Sequence, residues 1–241
     1  MIVLVIPARY GSQRLPAKML RPLAGVPLVV RTAQNASRAP YPLLVAHDDE
    51  RIGAAVRAAG FAALATRADH ANGSERLAEV VRLKNWADDT IVVNVQGDEP
   101  LLPLDCIETV IATLQQNPRA AVATLATPLA APAAADPNLV KVVCNQHGEA
   151  LYFSRAPIPF DRDGLGASYL RHLGVYAYRA GVLRRYPTLS VSPLEHYEKL
   201  EQLRFLHHSE TVAVAVIATA PPVGVDTEAD LLRVEALLAN Q

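Results

Sequence analysis

The chain opens on an unbroken apolar run, Met1-Ile-Val-Leu-Val-Ile-Pro7, that turns polar only at Arg9. A strand apolar at every position, not at alternate ones, is a strand covered on both faces. Short runs of the same kind recur at 43–46, 62–65, 90–95 and 121–125. Between them, segments 28–37, 50–59, 74–83 and 104–115 carry apolar residues at helical spacing. Strands alternating with helices specify a mostly parallel, doubly wound (Rossmann-like) α/β sheet flanked by helices. Two of the helices carry start signals: Asn72 with Glu75 has the capping-box spacing, and Pro103 suits a first helical position.

The pattern changes after residue 126. Segment 127–135, rich in alanine and proline, reads as a connection. Segments 140–144 and 150–154 flank Asn145-Gln-His-Gly148 and read as a hairpin, and 172–178 reads as a further strand. Ser192-Pro193-Leu194-Glu195 opens one strong helix to about His208, and 227–240 supplies the last. The expected organisation is one domain, 1–241. Its core is 1–126, a smaller lobe is inserted at about 127–218, and 219–241 returns to the core.

Composition narrows the partners. Twenty-three basic and 24 acidic side chains leave a net charge of −1, which argues against a broad basic field for nucleic acid or an anionic membrane. An anionic ligand must therefore be met at a focused site. The first apolar run is too short to span a membrane and lacks the flanks of a signal peptide. Cys106 and Cys144 are far apart, without metal-type spacing, and read as buried thiols in a reducing cytoplasm.

Three segments carry chemistry. Strand one runs into Ala8-Arg9-Tyr10-Gly11-Ser12-Gln13-Arg14-Leu15-Pro16-Ala17-Lys18. Open parallel sheets bind ligands beyond the carboxyl ends of their strands. This loop holds three cations and a glycine, and it is neither a P-loop nor a dinucleotide turn. Guanidinium groups meet phosphate oxygens through paired donors, and lysine supplies a point charge. Next comes Gln96-Gly97-Asp98-Glu99, at the end of the fourth strand, and later Gly224-Val225-Asp226-Thr227, ahead of the last helix. One acid from each, Asp98 and Asp226, suits Mg²⁺ held against a triphosphate; for Asp226 taken alone, helix capping is the plainer expectation. Third, Pro157 and Pro159 fix an extended loop behind Arg155, and His172 and Tyr176 share one face of a strand. Glu195, Glu198 and Glu201, three apart on a helix with Gln202 beside them, read as a solvated face.

In order, the stretches IPARYGSQRLPAK, TRADHANGSERLAEV, VNVQGDEPLL, ALYFSRAPIPFDRD, LRHLGVYAYR, SPLEHYEKLEQLR and GVDTEADL span residues 6–231. Together they resemble the CMP-Kdo synthetase (3-deoxy-manno-octulosonate cytidylyltransferase) family. The resemblance implies that Ala8, Arg9, Ser12, Arg14 and Lys18 hold the triphosphate. It puts Asp48 and Arg76 near the nucleotide and Gln96 at the sugar–nucleotide junction. It makes Asp98 and Asp226 ligands of Mg²⁺. It assigns Arg155, His172, Tyr176, Glu201 and Gln202 to the sugar acid, which takes Glu201 off the solvated face. It also implies a cytoplasmic homodimer that uses its second-half lobe for sugar binding and dimerisation and feeds lipopolysaccharide synthesis. Two features depart from the family's pattern: His47 stands where threonine is expected, and the loop between Arg162 and Tyr169 is short.

The implied reaction joins CTP to Kdo, giving CMP-Kdo and pyrophosphate, with Arg9, Arg14, Lys18, Asp98 and Asp226 at the reacting phosphates and no side chain assigned as base. The alternatives are the same chemistry on 8-amino-Kdo or another nonulosonic-type acid, and a nucleotide-binding regulator without catalysis. Retention of both acids and all three loop cations stands against the regulator.

Overall fold

The computed structural model describes every residue except Gln13, Asn240 and Gln241. In its first half, β1 (Ile2–Ala8), β4 (Leu43–His47), β5 (Ala63–Ala65) and β6 (Ile91–Asn94) pair in parallel. Between β1 and β4 lie a two-stranded ribbon, β2 (Pro22–Leu23) with β3 (Val26–Pro27), and helix α1 (Leu28–Ala36). Helices α2 (Glu50–Ala58), α3 (Gly73–Lys84) and α4 (Leu104–Gln116) complete the crossovers. Strand β7 (Val122–Leu129) follows, then the hairpin β8 (Lys141–Cys144) and β9 (Ala150–Ser154), and then β10 (Tyr169–Arg179). Helices α5 (Ala180–Arg185), α6 (Pro193–Glu198) and α7 (Leu203–His207) lead to β11 (Val212–Val216) and α8 (Glu228–Ala239).

Seven strands run in the order β11-β7-β10-β6-β1-β4-β5, and β8 and β9 extend the sheet from β10. The sheet is mostly parallel; β10 alone of the seven runs antiparallel to its neighbours β6 and β7. Strand β1 is apolar throughout because both its faces are packed. Leu4 and Ile6 meet α1, α2 and α4 residues, whereas Val3 and Val5 meet residues of α3 and the second half. Chain order reverses beside β1, with β4 on one side and β6 on the other. That reversal leaves a crevice at the carboxyl ends, where ligands of such sheets bind.

The structure departs from the sequence reading at four places. Segment 127–129 is not a connection but the end of β7, because long β10 supplies partners for it, Thr127 opposite Arg171 and Leu129 opposite Tyr169. A 3₁₀ turn, Ala131–Ala135, follows. Pro103 caps α4 from an extended conformation instead of entering its first turn. The helix expected to run to His208 is two helices, broken where Lys199 takes a left-handed conformation with φ of 55°. The break folds Arg204 back onto Glu195, with two hydrogen bonds of 2.8 and 2.7 Å that a straight helix would hold nine residues apart. Cys144 is half-buried, not buried, and both cysteines are free thiols. The last helix is described to Ala239; its expected end at Asn240 lies outside the described residues.

His47 ends β4 on the face turned toward α2, and its buried ring lies against Gly53. A Cβ on Gly53 would fall 2.4 Å from His47 Nε2. Alanine gains about 1 kcal/mol over glycine inside a helix, but overpacking a core costs about 1–3 kcal/mol. Gly53→Ala should therefore lower stability in urea unfolding. The same change made together with His47→Thr should be neutral or stabilising, because the smaller side chain frees the space. Unaltered stability of Gly53→Ala alone would show that the ring can turn aside.

Candidate active site

The crevice is a cleft of about 1110 Å³. Its walls come from five parts of the chain. The loop after β1 gives Arg9, Ser12, Arg14 and Lys18, and the end of β6 gives Gln96 and Asp98. The start of α3 gives Asn72, Gly73 and Arg76. Strand β10 gives His172 and Tyr176, and the corner between α6 and α7 gives Lys199, Glu201 and Gln202. Asp226, ahead of α8, closes the floor. Twelve of the residues singled out from the sequence are thus brought together. Ala8 and Asp48 stand just behind the wall, and Arg155 lies outside it.

At one end charge dominates. Lys18 Nζ sits 2.6 Å from Asp98 Oδ2 and 2.9 Å from Asp226 Oδ1, and Arg14 reaches Asp226 at 3.0 Å. Asp226 is not the cap of α8. Thr227 takes that role, its hydroxyl accepting from Asp230 N–H, and the Asp226 carboxylate is left to the cations. Burial lowers the Lys18 pKa, but Asp98 and Asp226 outweigh it, and the net shift is upward from 10.5. Glu99, behind Asp98, is pushed up to about 8 by burial and then by the charge of Asp98. It is therefore neutral at pH 7 and adds no third negative charge.

Two carboxylates converging on one ammonium are oxygen donors of the kind that a hard divalent cation takes together with phosphate and water oxygens. Among the described residues no group of three or more His, Cys, Asp or Glu could hold a metal by itself. The two acids thus fit Mg²⁺ held together with a phosphate ligand. Asp48 acts one layer back. Its carboxylate accepts from Tyr10 N–H at 2.8 Å and from Arg76 Nη2 at 3.1 Å, and it thereby ties the first loop to α3.

The other end gathers Gln96, His172, Tyr176, Glu201 and Gln202. Strand β10 shifts register between Leu173 and Tyr176, where two extra residues bulge out, so His172 and Tyr176 keep the same face with ring centroids 5.3 Å apart. Gln96 Nε2 donates to the bulge carbonyl of Gly174 at 3.3 Å. Thr124 Oγ1 lies 2.8 Å from the Val175 carbonyl and 3.0 Å from His172 Nε2. A hydroxyl has one proton; given to the carbonyl, it leaves the oxygen to accept from His172 Nε2–H, and in that tautomer Nδ1 is the ring's acceptor. Although an edge of the ring faces the cleft, burial and then the charge of Arg171 push its pKa down to about 3, so the imidazole is neutral.

Glu201 Oε2 accepts from Ser74 N–H at 3.1 Å, at the amino end of α3, and burial raises its pKa. Gln202 is buried beside it. The three acids read as a solvated face are each engaged: Glu195 with Arg204, Glu198 with the β9 end, and Glu201 with α3. Arg155 spends its guanidinium on carbonyls, Nε to Glu198 O at 2.8 Å and Nη1 to Pro137 O at 2.9 Å. His47 does not line the cleft; it faces α2.

Asn72, expected only as a cap, both caps α3 and lines the cleft. His70, Gly73 and Lys199 line it as well and carry no sequence signal beyond membership of the quoted stretches. A smaller depression of about 450 Å³ shares His70 with the cleft. Side chains already paired with each other line it, among them Arg67 with Asp69 and His70 with Glu79.

Replacing Lys18 by methionine should destabilise the protein at pH 7–9 by about 1–3 kcal/mol. That is less than the about 3–5 of a fully buried pair, because Asp226 is screened by solvent. A lysine whose folded pKa is raised contributes fully below its unfolded value near 10.5 and loses that contribution as pH climbs through the folded one. The gap in melting temperature between Lys18→Met and the parent should accordingly shrink above about pH 10.5. A gap that stays constant to pH 11.5 would show that packing, not charge, is lost.

Comparison with known proteins adds the family. Residues 3–212 match the family model described as Cytidylyltransferase. A 3-deoxy-manno-octulosonate cytidylyltransferase of Dichelobacter nodosus (strain VCS1703A) is 56% identical over 242 residues, covering 100% of this chain and 98% of that protein. The protein of the same name from Nitrosococcus oceani is 49% identical over 249 residues, covering 98% and 96%. Among solved structures, CMP:2-keto-3-deoxy-manno-octonic acid synthetase complexed with CTP superposes with a TM-score of 0.93 at 44% identity, over 99% of this chain and 98% of that one. A cytidylyltransferase from Leptospira borgpetersenii serovar Hardjo-bovis, at 13% identity and a TM-score of 0.65, covers 100% of this chain and 87% of its own and shares the fold alone. With near-complete coverage at 56% identity, on a Rossmann-like sheet whose cleft opens where such sheets bind ligands, this chain belongs to the 3-deoxy-manno-octulosonate cytidylyltransferase family.

Proposed function

We propose that the protein transfers a cytidylyl group from CTP to 3-deoxy-manno-octulosonate, releasing pyrophosphate, and that it does so in the cytoplasm on the route to lipopolysaccharide. The observation that supports this reading is one cleft that gathers Arg9, Arg14, Lys18, Asp98 and Asp226 with His172, Tyr176, Glu201 and Gln202. Among the described residues no helix is long and apolar enough to cross a membrane.

Arg9, Arg14 and Lys18, with Ser12 and the backbone from Ala8, receive the triphosphate, and Asp48 holds Arg76 toward the nucleotide. Gln96, fixed by the bulge, stands at the junction. His172 Nδ1, the Tyr176 hydroxyl and the side chains of Glu201 and Gln202 take the sugar's hydroxyls; Arg155, whose Nε and Nη1 donate to carbonyls, is assigned to its carboxylate through Nη2. The anomeric hydroxyl oxygen attacks the α-phosphorus, the bond to the bridging oxygen breaks, pyrophosphate leaves and the hydroxyl proton is released. Positioning and charge neutralisation supply the acceleration. Asp98 and Asp226 would hold Mg²⁺, whose chemistry when bound is to offset phosphate charge. A homodimer through the second-half lobe completes the proposal. Leu151, Phe160 and Tyr197 are exposed there and would be covered by a second copy, so sedimentation should show a dimer at micromolar concentration, and a monomer would remove that part alone.

Pyrophosphate release should require CTP, Kdo and a divalent metal, and excess chelator should abolish it. Equal turnover with UTP would overturn the base assignment. Asp98→Asn and Asp226→Asn should each lower turnover by about 10²–10³-fold while keeping a cooperative melt, since the amide retains shape without charge. A normally active Asp226→Asn would confine that residue to pairing with Lys18.

A further inference from the structure

Glu198 is the last residue of α6, directly before the left-handed Lys199 and the cleft-lining Glu201 and Gln202. Its carboxylate leaves its own helix and closes on the end of β9. Oε1 accepts from Ser154 Oγ at 2.5 Å and from the Tyr152 hydroxyl at 3.4 Å, and Oε2 accepts from Arg155 N–H at 2.8 Å. The exchange is mutual, because Arg155 Nε donates to the Glu198 carbonyl at 2.8 Å. Arg155 Nη1 and Lys141 Nζ then gather the carbonyls of Pro137, Asp136 and Leu139. The hairpin is thus clasped to the corner that aims Glu201 into the cleft. A charged acceptor holding three donors is a stiff anchor, and a corner with left-handed backbone needs one.

We infer that Glu198 is a positioning residue for the sugar end of the cleft: it touches no substrate, sets the α6–α7 corner that presents Glu201 and Gln202, and holds the loop that carries Arg155. The inference rests on the proposed function and names a residue for which that reading gives no role.

The test is steady-state pyrophosphate release, varying sugar acid at saturating CTP, beside calorimetric titration of CTP without sugar. Glu198→Ala should raise the KM for the sugar acid about tenfold or more, the scale of a lost hydrogen bond to a charged group, with CTP affinity within about twofold. Glu198→Gln keeps an acceptor oxygen and should recover most of the loss. Ser154→Ala, which removes one donor and leaves the acid in place, should shift the same KM less and covers the case in which Glu198→Ala does not fold. An unchanged sugar KM in Glu198→Gln and Ser154→Ala, together with an unchanged or unfolded Glu198→Ala, overturns the inference. So does a parallel loss of CTP affinity and sugar KM, which would mark a merely structural residue. If the unaltered protein releases no pyrophosphate, the proposed function falls and this inference with it; an active parent with indifferent variants overturns the inference alone.

Discussion

Lys18 brings three distant pieces of chain to one point, beside the Arg14–Asp226 pair and the hydrogen bond from Val225 N–H to the Asp98 carbonyl. Its ammonium reaches Asp98 and Asp226, 80 and 208 residues further on, so the first loop, the end of β6 and the lead into α8 meet at one point. Two carboxylates so close repel unless a cation lies between them. In the protein alone the lysine is that cation. The relative placement of the two acids is therefore set by an ion pair. Glu99 supports this arrangement by staying neutral, because burial and the neighbouring charges make a further anion there costly.

The other end of the cleft depends on a different device. A strand from the second half, β10, is inserted between β6 and β7, and its bulge delivers His172 and Tyr176 to the cleft with carbonyls that fix Thr124 and Gln96. Across from it, the broken helix turns Glu201 onto the amino end of α3. Here the favourable backbone donor and the unfavourable burial act on one carboxylate in opposite directions, and burial is the larger. One end of the cleft is thus made of paired charges, and the other joins the β10 bulge to the corner between α6 and α7.

Much of this was legible in the order of residues. The apolar runs with helical segments between them fixed the parallel core, because periodicity is local and both faces of such a sheet must be covered. The segments after β1 and β6 were legible as ligand loops, since charge beside glycine at the carboxyl end of a parallel strand has few other uses. Less was legible where a residue's partner is distant. Glu195, Glu198 and Glu201 look like a solvated face at their spacing, yet each closes on a different element. Asp226 has the position of a helix cap, but the cap is Thr227. His47 stands next to Asp48 in sequence and on the opposite face of the sheet, as strand alternation requires.

The sequence by itself determined the alternation of strands and helices, the loops that bear charge and the family to which these stretches belong. All of these follow from local period, turn chemistry and residue order. Only the tertiary structure decided that β10 lies mid-sheet, that the sixth and seventh helices part at Lys199, that Arg155 binds carbonyls and that two distant acids share one lysine. Those outcomes depend on which donors and charges are left without water once the core has closed, and that is a property of the packed chain and not of any segment of it.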